Sequence, residues 1–280
     1  MKQLIGLMLL SFFGHFASAA TWEITYPRPM TDNDRRQEYP VKLLALALEQ
    51  TGVSYELQAA SVVMSQEKSL KQLAENRSVN VVWSMTDTDR ENRLLPIRIP
   101  IYKGLIGWRV FLVKKNQLAK FKNIDTMQNL LKFKPIQGFD WPDTKILQSN
   151  GFDVVTSKNY SNIFSMLANN QGDFVPRSII EVWKEYDADF MDKSIVVEPT
   201  LGVKYPAAMY FFVNKSNRTL GKLLENGLEK AIANGEFDKL FLEEFNDIFK
   251  RSNMDKRFFF QIDNPLIAPE TPIDRKELWY

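Results

Sequence analysis

Arg90 lies near the end of a stretch that changes character within a few residues. Asn80 to Asn92 reads NVVWSMTDTDREN: Val81, Val82 and Trp83 give way to Ser84, Met85 and Thr86, and then to a run of charge. A guanidinium presents a planar fork of donors that matches a carboxylate bidentately. The hydroxyls of Ser84 and Thr86 are placed to complete such a hydrogen-bond set. The same arginine has an ordinary alternative, a surface ion pair with Asp87, Asp89 or Glu91. A second candidate group is Trp141, Asp143 and Thr144 in GFDWPDT, where Pro142 and Asp143 suit a helix start. Free N–H groups at a helix N-terminus bind carboxylates, although Asp143 and Thr144 also suit simple capping. Arg177 in GDFVPRSIIE is a third, with Glu181 one helical turn on as its internal alternative partner.

Other chemistry is excluded by composition. The N-terminus, MKQLIGLMLLSFFGHFASAAT, has Lys2, an apolar stretch from about Leu4 to Phe16 and small residues at Ala17 and Ala19. It reads as a signal peptide, residues 1–19, cut after Ala19. An N-terminal anchor is the alternative, but the apolar stretch is shorter than the roughly 20 residues that span a bilayer. The single histidine, His15, falls inside this segment and the chain has no cysteine. The expected mature protein therefore lacks Ser-His-Asp catalysis, Cys-His catalysis and a His- or Cys-ligated zinc. Carboxylate pairs drawn from Asp140, Asp143 and Asp173 leave acid–base hydrolysis open, but no spacing singles one out, and the reading is a non-enzyme without cofactor or metal. A net charge of +2 points to no nucleic-acid partner.

The elements that must position these residues alternate. TWEITYPRP begins as a strand and ends at prolines; residues 41–52 read as a helix ended by Gly52; VSYELQAA, SQEKSLKQLAEN and VNVVWSM follow as strand, helix and strand. This β-α-β-α-β order predicts a parallel sheet with crossover helices. Ligands sit at the carboxyl ends of such strands, which adds Tyr26 and Arg28 as candidates, and makes Trp83 either the floor of a site or a core aromatic. Residues 96–115 read as one continuous strand-rich segment, and a second β-α series runs through residues 133–190. AAMYFFVN is a strongly apolar strand; a helical pair follows over residues 219–246, and a proline-punctuated tail is expected to wrap the surface.

In this order the chain resembles the periplasmic (extracellular) solute-binding proteins of family 3, which serve polar amino acids, over about residues 21–246. MTDTDRENRLLPIRIPIY is similar to the family's Thr-x-x-Arg segment, NNQGDFVPRS to its Gly-x-x-Asp segment, and LGKLLENGLEKAIANGEFDKLFLEEF to its closing helix pair. The resemblance implies an α/β, type II periplasmic-binding-protein fold. Two lobes are joined by a two-strand hinge: residues 20–110, 111–206 inserted, and 207–280 completing the first lobe with a C-terminal extension. It implies that Arg90 anchors a ligand carboxylate in a cleft closed by hinge bending. The position of the family's amine-binding acid is matched by Ser178, preceded by Arg177. That departure favours an anionic ligand bridged by Arg90 and Arg177: a dicarboxylate, an acidic amino acid or a modified peptide. The implied protein is a periplasmic monomer serving an ABC transporter or a sensor. The alternative is an orphan or sensor-partner scaffold with a degenerate pocket.

Overall fold

The computed structural model describes residues 21–29 and 35–280; the expected signal segment lies outside the described residues. The chain opens with β1 (Trp22–Arg28), α1 (Glu38–Thr51), β2 (Tyr55–Val63), α2 (Gln66–Ala74), β3 (Val82–Met85), α3 (Thr88–Arg93) and β4 (Leu95–Ile97). It continues through β5 (Trp108–Lys114), α4 (Leu118–Phe121), α5 (Met127–Leu130), β6 (Ile136–Gly138), α6 (Pro142–Ser149) and β7 (Val155–Ser157). Then come α7 (Tyr160–Ala168), β8 (Phe174–Ser178), α8 (Val182–Tyr186) and β9 (Ile195–Lys204). The last elements are β10 (Met209–Val213), α9 (Arg218–Ala233), α10 (Glu236–Ser252) and β11 (Phe258–Gln261).

Local chemistry sets these boundaries. Gly52 ends α1 in the left-handed region at φ 72°, where only glycine sits without a Cβ penalty. Ser65 caps α2 by accepting from the Lys68 amide at 3.3 Å, and Asn159 caps α7 through the Ser161 amide at 3.0 Å.

Two sheets result. In the first, β1 and β2 pair in parallel, and β10 lies antiparallel between β3 and β4. The Thr25 carbonyl joins the halves by accepting from the amides of Asn80 and Val81 at 2.9 and 3.3 Å. In the second, the order is β11-β9-β5-β8, and a parallel bridge from Pro135 to Phe174 adds the β6–β7 pair. The chain first passes between the sheets near residues 104–108 and returns near residues 204–208. The crossings touch where the Tyr205 amide donates to the Gly107 carbonyl at 3.2 Å. This is the two-lobed α/β architecture the sequence leads one to expect.

Two expectations need correction. Residues 96–115 are not one strand: β4 and β5 are separated by turns in which Gly104 adopts φ 77° and the Lys103 amide bonds back to Pro100. The tail does more than wrap the surface: β11 extends the second sheet beside β9, and Ile262, Ala268 and Leu278 are buried.

α1 and α9 pack backbone to backbone at Gly227, where a Cβ would collide with the Ala47 carbonyl. Gly227→Ala is therefore expected to destabilise the protein by about 1–3 kcal/mol, despite alanine's better helix propensity. A urea unfolding curve with unchanged slope and a lower midpoint is the check.

Candidate functional site

A cavity of about 300 Å³ lies between the two sheets, at the small end of ligand-site volumes. From the first sheet its wall takes Pro27 and Arg28 at the end of β1, Met64 and Ser65 after β2, and Trp83 and Met85 of β3. From the second it takes Gly138 and the turn Asp140–Asp143, then Ser157 and Lys158 after β7, and Arg177 of β8. Both walls are thus built at the carboxyl ends of parallel strands, the place where open α/β sheets bind ligands.

Of the residues singled out in the sequence, Arg28, Trp83, Met85, Trp141, Asp143 and Arg177 line this cavity. Tyr26, Ser84, Thr86, Arg90 and Thr144 do not. Tyr26 packs its ring 6.0 Å from that of Trp83 and supports it from behind. Ser84 is buried and donates to the Met85 carbonyl at 3.2 Å, while Thr86 donates to Glu91 at 2.6 Å. Thr144 turns inward to the Gly138 carbonyl at 2.6 Å. Arg90 is the main correction. Asp87 caps the short α3 through the Arg90 amide at 2.7 Å, and that helix carries the Arg90 side chain away from the cavity. Its guanidinium donates to the Met85 carbonyl at 2.7 Å and pairs with Asp87 at 3.6 Å. Arg90 braces the end of β3 and, unlike Arg177, does not line the cavity.

Arg177 is committed as well. It makes a fork-to-fork contact with Glu185, at 2.7 and 2.6 Å, and approaches Glu181 at 3.2 Å. Its guanidinium lies 4.7 Å from the centre of the Trp141 ring. Tyr160 donates at 2.7 Å to Glu185 Oε1, which also accepts from Arg177. Burial pushes the Tyr160 phenol well up, so its proton stays in place to donate. Burial also works against the Glu185 carboxylate, but the charge and hydrogen bonds of Arg177, with that of Tyr160, hold it below its ordinary 4.5. Glu244 is held low in the same way: burial pushes it up, and Lys184 and Lys42 outweigh that. A carboxyl depressed in the folded state adds stability that is complete above its unfolded value and lost as pH falls through the folded one. Melting temperature is therefore expected to decline below about pH 4.5. Glu185→Gln should flatten that acid limb, and a pH series of thermal melts is the check.

Arg109 is the cavity residue the sequence reading passed over. It lies on β5, is almost fully buried, and contacts Asp143 at 2.5 Å and Glu181 at 3.5 Å. Tyr205 donates to the same Asp143 carboxylate. The signal was present in GWRVFLV: an arginine within an apolar strand must find a carboxylate partner. Glu181, Arg36, Tyr102 and Tyr160 also line the cavity and were not singled out as ligand contacts.

The charge on the walls is asymmetric. Among the described residues, Arg28, Arg36, Arg109, Lys158 and Arg177 face Asp140, Asp143 and Glu181. Arg28 spends its Nε on the Ala60 carbonyl at 2.8 Å, and neither it nor Lys158 has a carboxylate partner among the described residues. Two buried wall atoms also lack a hydrogen bond, Gln37 Oε1 and Arg109 Nε, while Glu181 Oε2 is held by ion pairs alone. Buried polar atoms without partners are rare in folded proteins, and here they border the cavity. No group of His, Cys, Asp or Glu among the described residues is arranged to hold a metal ion.

No family model matches the chain, and no curated protein matches it in sequence. Solved structures do. A histidine kinase sensor domain with similarity to periplasmic binding proteins aligns with 80% of this chain and 96% of its own, with TM-score 0.60 and 14% identity. The chain has the fold of the periplasmic binding proteins. The periplasmic VFT2 domain of BvgS from Bordetella pertussis aligns over 80% of this chain and 92% of its own, with TM-score 0.58 and 18% identity. An amino acid ABC transporter substrate-binding protein, AbpA from Streptococcus pneumoniae bound to L-arginine, covers 81% and 95%, with TM-score 0.58 and 15% identity. At such identities the likeness is one of fold, and these neighbours are binding proteins and sensor domains. In the periplasmic-binding-protein fold the cavity described above is the interlobe cleft.

Proposed function

We propose that this chain is a periplasmic solute-binding protein that captures a small polar, carboxylate-bearing, amino-acid-like ligand between its lobes. The carrying observation is the pair of cations without carboxylate partners among the described residues, Arg28 and Lys158, on opposite walls of a cleft that Trp83 and Trp141 also line. A carboxylate between two such cations gains charge-assisted hydrogen bonds from both lobes and so favours the closed arrangement. The signal-like N-terminus supports an exported location, and the fold neighbours, which include a sensor domain and an ABC transporter substrate-binding protein, support delivery to a transporter or a sensor. Among the described residues no helix is long and apolar enough to cross a membrane.

One observation favours the alternative, an orphan or sensor-partner scaffold. The second lobe's arginine, Arg177, is occupied by an internal carboxylate, Glu185, instead of facing a ligand. Thermal unfolding against a panel of amino acids, dicarboxylates and short peptides separates the two. A bound compound at about 100 times its dissociation constant adds ~2.7 kcal/mol to stability, several degrees in melting temperature. Arg28→Ala is expected to weaken that compound about 10–100-fold, the worth of a hydrogen bond to a charged group. A panel that shifts nothing supports the scaffold.

A further inference from the structure

The C-terminal segment after α10 touches both lobes and runs beside the hinge between them. Its root is Arg257, whose buried guanidinium donates to the Glu198 and Leu201 carbonyls of β9 at 2.5 and 2.9 Å. β11 then pairs in parallel with the hinge-proximal end of β9, from Phe258 opposite Leu201 to Gln261 opposite Lys204. The ladder runs on through the Ile262 amide to the Lys204 carbonyl at 3.0 Å. Asp263 exchanges two hydrogen bonds with Asn150 of the second lobe, at 2.8 and 3.1 Å. Asn264 donates to the Pro206 carbonyl, within the crossing itself, at 2.8 Å.

From there the chain returns to the first lobe. Arg275 forks onto Glu229 of α9 at 2.6 and 3.0 Å. The Trp279 ring covers Gly104 so closely that no Cβ would fit, and the Tyr280 amide donates to the Lys103 carbonyl at 2.9 Å. A second set of contacts joins the lobes through α8 and α10. Trp183 donates to Ser252 at 2.6 Å, Lys184 to Glu244 at 2.8 Å, and Arg251 contacts Asp187 bidentately.

Hinge closure works because a few connecting residues absorb the whole rotation. A third strand bonded along one connector and anchored in both lobes removes that freedom. Opening must then peel β11 from β9, draw Trp279 off Gly104 or break the α8–α10 contacts. We infer that residues 257–280, with the α8–α10 contacts, form a strap that holds the two lobes closed before any ligand arrives. The strap bears on how the proposed binding site is gated, and so rests on the interlobe reading above, but its test requires no ligand.

The chain has no cysteine, so Val62→Cys and Phe139→Cys, two exposed positions beside the cavity wall in different lobes, can carry a pair of nitroxide labels. Pulsed electron–electron distance measurements on the ligand-free protein are expected to give one narrow, short distribution. The surface double variant Asn150→Ala/Arg251→Ala should add a longer-distance population while the circular dichroism spectrum stays native. Trp183→Phe, which loses the Ser252 bond and reduces the ring surface under Arg251, should give a smaller share of the same population. A broad distribution in the unaltered strap protein, or distributions that the variants leave unchanged, would overturn the inference. Because ligand is absent throughout, either result is independent of whether a carboxylate binds in the cleft.

Discussion

Replacing Arg177 by methionine is expected to destabilise the protein by about 3–5 kcal/mol, roughly 10 °C in melting temperature. Both members of the Arg177–Glu185 pair are 3% exposed, so removing the arginine strands a carboxylate in the interior. The cost is then the desolvation of Glu185, not the worth of one ion pair. A second substitution tests that account. Arg177→Met/Glu185→Leu removes both charges and is expected to recover most of the loss, because a buried pair is often no more stabilising than apolar residues of like volume. Tyr160 would still lose its acceptor, so recovery should be incomplete until Tyr160→Phe is added. Additive losses across the three variants would show instead that the residues act separately.

Phe211→Ala is expected to cost a similar ~3–5 kcal/mol. The side chain is fully buried on β10, between β3 on one side and β4 on the other. Its ring meets Trp83 edge-on with centroids 6.2 Å apart, and Trp83 in turn lines the cleft. The substitution therefore removes a packing partner of the cavity wall as well as apolar contacts. Weaker ligand binding should accompany the lower stability, and Phe211→Leu, which keeps most of the volume, should restore both in large part. Chemical denaturation read together with ligand affinity in the same variants is the measurement.

Much of the fold was legible because local chemistry and periodicity agreed. The opening β-α-β-α-β run carries alternating strands, capped helices and Gly52 at a left-handed position, and each was readable from its own residues. β9 was not. Glu198 and Pro199 interrupt its apolar pattern, and only the fold shows the Glu198 carboxylate turned back on the Thr200 and Leu201 amides. β11 was hidden for a related reason: RFFFQ has no strand neighbour in sequence, and its partner β9 lies more than fifty residues earlier.

The site was half legible. Strand ends led to Arg28 and Trp83, and the GFDWPDT turn to Trp141 and Asp143, all four of which line the cavity. Arg90 misled because a charged residue after a strand looks the same whether its helix turns it toward the cleft or back onto Met85. Likewise, Arg177 was visible as a charge, but its neutralisation by Glu185 depends on the curl of α8, which brings residue 185 under residue 177.

The central claim is that the interlobe cavity holds a carboxylate between Arg28 and Lys158. Trp83 and Trp141 stand on opposite walls of it, so equilibrium titration followed by tryptophan fluorescence reads the site directly. The compounds should come in matched sets: a free carboxylate, its amide and its alcohol. The account predicts a saturable single-site change for at least one carboxylate, with its amide and alcohol binding at least about 10-fold more weakly. Equal binding of the neutral analogues, or no saturable change with any compound, would contradict it.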